Sequence, residues 1–176
     1  MTRRRPLVIA LGLAVVAGIV TAVSMVALRA TGRTAADPPH YVDESGTAGI
    51  STTYDGDSRY ATGGGVATFD CDDDRTPDLL VAGGANPSSL SRNASPVGGA
   101  LRFVPVADPT SGSADGVLGP GVLGAYPLDV DGDGRVDLAV LRMDGFRLLR
   151  GLGGCRFGDG NAAWGLDGVS GMTTAF

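Results

Sequence analysis

Two short aspartate-rich segments are the part of this sequence whose residue types and spacing could do chemistry. The first, loop 1, reads Asp70-Cys71-Asp72-Asp73-Asp74-Arg75-Thr76-Pro77-Asp78, and the second, loop 2, reads Asp129-Val130-Asp131-Gly132-Asp133-Gly134-Arg135-Val136-Asp137. In both, aspartate stands at positions 1, 3, 5 and 9 of nine residues. Carboxylates at this spacing can point inward around one cation, and without a cation they would repel one another.

Calcium is the cation that this set of oxygen atoms suits. Ca²⁺ takes about six to eight oxygen ligands at roughly 2.3–2.6 Å and tolerates irregular geometry. Four carboxylates, the backbone carbonyl at position 7 and water would supply such a shell. We therefore predict two calcium sites, whose ligands are Asp70, Asp72, Asp74, Asp78 and the carbonyl of Thr76 in loop 1, and Asp129, Asp131, Asp133, Asp137 and the carbonyl of Arg135 in loop 2.

Two alternative interpretations of the loops compete with this prediction. An EF-hand loop ends in Glu at position 12 and enters a helix, whereas position 12 is Val81 after loop 1 and Val140 after loop 2. A solvated acidic turn is the other alternative, because Asp-Gly is common turn chemistry. Two loops of the same pattern, each running into an apolar segment, favour metal binding over such a turn.

Two of the differences between the loops are at positions 4 and 6, where loop 2 has glycine. Loop 1 has Asp73 and Arg75 where loop 2 has Gly132 and Gly134. A sharp turn at position 6 often needs a positive φ, which glycine adopts most easily. The arginine also brings its own positive charge near the metal. We therefore expect loop 2 to be the better calcium site.

Both loops belong to a longer repeat, in which Asp70 corresponds to Asp129. Each loop follows glycines and a short apolar segment, and each precedes an apolar run and a turn. A second, shorter repeat relates Tyr41 and Gly49-Ile50 to Phe157 and Gly165-Leu166. Phe103 begins the corresponding element between them. Four short strands in about 60 residues is the size of one propeller blade. The sequence predicts an all-β fold, a partial β-propeller of about two blades and a fragment.

Both loops and the segments after them resemble the FG-GAP/VCBS repeats of integrin-alpha-type β-propellers. The arrangement is similar to the bacterial cartilage acidic protein-like family, which is often joined to an ASPIC/UnbV module. The resemblance covers roughly residues 41–176; it implies a propeller fold and export, and it brings no catalytic residues. Because a closed propeller has about 4–8 blades, we expect this chain to hold an incomplete ring, with Val169–Phe176 starting a third unit.

The N-terminus carries an export or membrane signal. Residues 1–5 are basic, and residues 6–28 form an uncharged apolar run. A membrane-spanning helix needs about 20 such residues, and the core of a signal peptide needs roughly 7–15. Because the run is long enough to span, we predict a transmembrane anchor, with a cleaved signal as the alternative, then a linker over 29–40 and the repeat region over 41–176. The body would be extracytoplasmic at the cell membrane, or secreted after cleavage.

The net charge and the scarcity of reactive side chains argue against two classes of function, nucleic-acid binding and catalysis. From residue 37 onward the chain has 9 arginines and 19 acidic residues, and this negative balance argues against a nucleic-acid-binding face. His40, the single histidine, lies in the linker and leaves Cys71 and Cys155 without an activating base. These cysteines either pair after export or remain buried thiols. We do not expect an enzyme.

The predicted function is recognition of an extracellular protein or glycan, or cell-surface adhesion, by a calcium-braced propeller. Two alternatives stay open: a carbohydrate-binding propeller, and a propeller that carries an enzyme site for polysaccharide. Exposed aromatic side chains at the mouths of the blades would favour the first alternative. A cluster of histidine and glutamate would favour the second.

Overall fold

The computed structural model describes residues 18–19, 37–110, 116–168 and 170–173. The chain divides into two compact units, Met1–Val42 and Asp43–Phe176. Apart from residues 18 and 19, the predicted anchor over 6–28 lies outside the described residues, and so do residue 169 and residues 174–176 of the predicted third unit. Among the described residues, no helix combines the length and the apolar character needed to cross a bilayer.

Two four-stranded antiparallel sheets make up the framework of the second unit. In each sheet the strands lie in chain order, so that every strand pairs with the next one along the sequence. The all-β prediction is confirmed, and the two sheets are consistent with two blades of a β-propeller. Sheet 1 contains β1 (Val66–Phe69), β2 (Asp78–Val81), β3 (Ser89–Asn93) and β4 (Phe103–Pro105), and sheet 2 contains β5 (Val122–Leu128), β6 (Asp137–Arg142), β7 (Gly145–Gly153) and β8 (Arg156–Asp159).

The first strands of the two sheets lie side by side. The backbone N–H groups of Gly64 and Gly65 both donate to the carbonyl of Leu123, at 3.1 and 3.2 Å. A Cβ atom on Gly65 would stand 2.9 Å from the Cα of Gly124. Only glycine permits such a close backbone approach, which explains the glycines that precede β1 and interrupt β5.

One apolar core joins the two sheets. β6 is buried along its whole length, which is why its sequence is a continuous apolar run from Leu138 to Leu141 and does not alternate. Phe69 of sheet 1 meets Phe157 of sheet 2 edge to face, with ring centroids 6.3 Å apart. The core also contains Ala67, Leu80, Leu90, Val122, Leu138, Val140 and Leu149.

The two copies of the shorter repeat, after Tyr41 and after Phe157, fold into the same kind of local turn. A one-turn helix, Ser45–Ala48, follows the first aromatic residue, and a similar turn over 161–165 follows the second. Each turn ends in a left-handed glycine and is closed by a backbone hydrogen bond across six residues. The glycines are Gly49 (φ +84°) and Gly165 (φ +68°), and the hydrogen bonds run from Ile50 to Ser45 and from Leu166 to Asn161.

The register shows which residues of the two sheets are equivalent. Leu79 pairs with Ser91 in sheet 1, and Leu138 pairs with Leu149 in sheet 2. Leu138 follows Leu79 by the same number of residues as loop 2 follows loop 1. In the third strands, Leu149 follows Ser91 by one residue fewer. Arg92 of β3 and Arg150 of β7 consequently occupy matching positions, next to the aspartate loops.

Candidate metal centres in the two aspartate loops

Each aspartate loop connects the first two strands of its sheet. Phe69 pairs with Asp78 across loop 1, and Leu128 pairs with Asp137 across loop 2. The two ends of each loop are therefore held together by the strand ladder. This brings the carboxylate at position 1 next to the one at position 9, as a shared cation would require.

The aspartate at position 9 anchors its loop to the third strand. Asp78 and Asp137 are fully buried, and each accepts two backbone N–H hydrogen bonds. One comes from position 2 of the loop and one from the third strand; the donors are Cys71 and Asn93 for Asp78, and Val130 and Gly151 for Asp137, all at 2.8 Å. These bonds fix each carboxylate in place while leaving lone pairs for a metal.

Burial raises the pKa of the Asp78 carboxyl, while its two backbone hydrogen bonds act in the opposite direction. The neighbouring carboxylates of Asp72 and Asp74 raise this pKa further. Both causes disfavour the charged form of Asp78, whereas a cation in the loop would favour it.

The aspartates at positions 1 and 5 accept hydrogen bonds from backbone N–H groups of their own loop. The carboxylates of Asp70 and Asp129 each accept two N–H groups from their own loop. At position 5, Asp74 and Asp133 accept the N–H of position 7, at 2.7 and 2.9 Å. The hydroxyl of Thr76 also donates to Asp74 and is the main reason why the pKa of that carboxyl is lowered.

Three carboxylates converge in each loop. The aspartates at positions 1, 3 and 9 each offer an oxygen within 4.8 Å of the other two; the sets are Asp70, Asp72 and Asp78, and Asp129, Asp131 and Asp137. Oδ1 of Asp72 is buried and has no hydrogen-bond partner among the described residues. Hard oxygens with unused lone pairs fit calcium. Asp74 and Asp133 lie outside the converging sets, and their role as ligands stays a prediction, as do the carbonyls of Thr76 and Arg135.

Both loops have left-handed backbone at the same two positions despite their different sequences. Positions 4 and 6 have positive φ in both, +63° at Asp73 and +70° at Arg75, against +73° at Gly132 and +84° at Gly134. The predicted need for a positive φ at position 6 is confirmed. Residues other than glycine adopt this conformation at a cost of about 1–2 kcal/mol each, so loop 1 is the strained copy.

Replacing Arg75 with glycine is therefore expected to raise the free energy of unfolding by about 1 kcal/mol. Gly134→Arg places the same side chain at the same position of loop 2 and should lower it by a similar amount. An added Cβ at Gly134 meets no atom within 4 Å, so the change tests the backbone conformation without a clash. Urea denaturation in calcium-free buffer measures both. A destabilised Arg75→Gly protein would contradict the assignment of strain to this residue.

Matching arginines from the third strands pair with the carboxylate at position 3. Nη1 of Arg92 lies 3.4 Å from Oδ2 of Asp72, and Nε of Arg150 lies 2.9 Å from Oδ2 of Asp131. Both guanidinium groups are about half exposed, so each pair contributes little to stability. The sequence analysis missed these residues; the signal that could have found them is their own recurrence, at a spacing one residue shorter than that of the loops.

Cys71 and Cys155 form a disulfide bond, which decides between the two alternatives that the sequence left open. Cys71 is position 2 of loop 1, and Cys155 lies in the turn between β7 and β8 of the other sheet. The N–H of Cys155 also donates to the carbonyl of Cys71, at 2.9 Å. Loop 1 is thus covalently tied to sheet 2, whereas position 2 of loop 2 is Val130, which is 41% exposed.

Residues 70–140 match the family model described as the FG-GAP-like repeat. The match begins at the first aspartate of loop 1 and ends inside β6, so it contains both aspartate loops. No curated protein and no solved structure matches the chain.

Proposed function

We propose that this FG-GAP repeat protein is an exported calcium-binding β-propeller protein that acts in recognition or adhesion at the cell surface. The FG-GAP-like repeat and the two blade-like sheets support the fold. The duplicated set of converging carboxylates carries the calcium part of the proposal. It recurs with the same anchoring hydrogen bonds in both sheets although the loops differ at positions 2, 4, 6, 7 and 8.

Calcium would act as a structural brace in this proposal. Asp70, Asp72 and Asp78 would hold one ion, and Asp129, Asp131 and Asp137 would hold the other. Each ion, when bound, would add positive charge between three carboxylates, of which only the one at position 3 pairs with an arginine of the third strand. The position-9 aspartate would then link the ion to the third strand through its backbone hydrogen bond, so that the loop and three strands of the sheet become one rigid unit.

The disulfide supports the proposed export. Disulfides form and persist in oxidising compartments and are rare in the cytosol. A bond between Cys71 and Cys155 therefore suits a body that lies outside the cytoplasm, and residues 6–28 would anchor it or direct its secretion. The partner would be an extracellular protein or glycan, and the proposal assigns no catalytic residue.

Calcium titration of the purified full-length chain tests this proposal. After treatment with a chelator and its removal, isothermal titration calorimetry with calcium chloride should give two ions per chain, one for each converging set. Magnesium should bind more weakly, because it demands a smaller, octahedral shell. Absence of both binding heat and a thermal shift with calcium would show that the loops are acidic turns, and the calcium proposal would fall.

A further inference from the structure

We propose that the Cys71–Cys155 disulfide controls calcium binding at loop 1 and leaves loop 2 unaffected, so that one of the two sites is redox-sensitive. This inference rests on the proposed calcium binding and concerns what distinguishes the two sites. The loops share their three converging carboxylates and their anchoring hydrogen bonds. They differ in backbone strain and in the covalent link, and both differences lie in loop 1.

Strain makes loop 1 dependent on external support. Asp73 and Arg75 both have positive φ, a backbone conformation that is less favourable for them than for glycine. A loop free to relax would leave this conformation, and its carboxylates would no longer converge. Loop 2 holds the same conformation with Gly132 and Gly134 and needs no such support.

The disulfide lies against the buried ligand of loop 1. The backbone N–H of Cys71 donates to Oδ2 of Asp78 at 2.8 Å, and Sγ of Cys155 lies 3.7 Å from the same oxygen. The cystine therefore sits against a carboxylate of the calcium set. Both cysteines are buried, at 8% and 0% exposure, so the bond is held within the packed junction between the two sheets.

Reduction would release this support at one site only. Dithiothreitol transfers two electrons to the cystine; the S–S bond breaks, two thiols form, and the reagent becomes its cyclic disulfide. Loop 1 is then held to sheet 2 by non-covalent contacts alone. Because linkage is reciprocal, calcium in loop 1 must oppose reduction by the same factor by which reduction weakens calcium binding.

The test separates the two sites by mutation. Asp131→Ala leaves loop 1 as the intact site, and Asp72→Ala leaves loop 2. Calorimetry with calcium chloride on the full-length chain, before and after dithiothreitol, should show that affinity falls roughly tenfold in Asp131→Ala and changes less than about twofold in Asp72→Ala. The double variant Cys71→Ser/Cys155→Ser should reproduce the reduced state. Equal changes at both sites, or none at either, would overturn the inference.

An equilibrium measurement covers the case in which a variant fails to fold. In the wild-type chain, saturating calcium should shift the equilibrium between disulfide and thiols, measured in mixtures of reduced and oxidised dithiothreitol, roughly tenfold towards the disulfide, whereas magnesium should shift it less. An unchanged equilibrium in a protein that binds two calcium ions would overturn this inference alone. Absence of calcium binding by the oxidised wild type would overturn the proposed function, and this inference with it.

Discussion

Replacing Asp131 with alanine is expected to reduce the calcium stoichiometry from two ions per chain to one. Asp131 is the position-3 member of the loop 2 set, within 4.8 Å of ligand oxygens on Asp129 and Asp137. Binding to the folded state alone stabilises a protein by about 2.7 kcal/mol when the ligand is at a hundredfold excess over Kd. The variant should lose about that much of the calcium-dependent free energy of unfolding. Calorimetry and urea denaturation with and without calcium measure both quantities.

Two further variants show whether this loss belongs to the site. Asp72→Ala is the equivalent change in loop 1 and should lose less of the stabilisation, because strain at Asp73 and Arg75 makes loop 1 the weaker site. Asp73→Asn removes a carboxylate that lies in the loop but outside the converging set, and it should still bind two ions. If Asp131→Ala also binds two ions with unchanged affinity, loop 2 is not a calcium site.

The position of both loops could be predicted from the sequence, but which three of the four aspartates in each loop converge could not. Aspartate at positions 1, 3, 5 and 9 predicted four carboxylates around one ion. In the structure, the carboxylate at position 5 accepts the N–H two residues later, at Thr76 in loop 1 and at Arg135 in loop 2. Short aspartate side chains readily form such local turns, and residue spacing alone does not show which oxygens they use.

Features that depend on the contact between the two sheets were left open or missed by the sequence analysis. Cys71 and Cys155 are 84 residues apart, and only the packing of loop 1 against the β7–β8 turn brings them within bonding distance. The sequence analysis missed the ion pairs of Arg92 and Arg150 for a related reason. The chain from a residue of the second strand to its partner in the third strand is one residue shorter in sheet 2 than in sheet 1, so an alignment that superimposes the two loops does not superimpose the two arginines.

Tyr41 and Phe157 show how far the repeat itself could be predicted. The shorter repeat matched two segments that fold into equivalent turns, because the glycine and the backbone hydrogen bond that end each turn are local. It did not predict the surroundings of the two aromatic rings. Phe157 lies in β8 and is 1% exposed, whereas Tyr41 is 91% exposed and lies outside the described strands. Burial depends on which strands lie alongside, and local sequence does not encode that.

Phe157→Ala is therefore expected to lower the free energy of unfolding by about 3–5 kcal/mol, the usual cost of removing a buried aromatic ring. The ring joins the sheets through its edge-to-face contact with Phe69. Tyr41→Ala is the matched control at the equivalent repeat position and should change stability by less than about 0.5 kcal/mol, because an exposed side chain leaves no cavity. Urea denaturation in calcium-free buffer compares the two without a contribution from the metal. Similarly large losses in both variants would mean that Tyr41 is also buried in the folded protein. Similarly small losses would mean that the contact between Phe157 and Phe69 does not hold the sheets together.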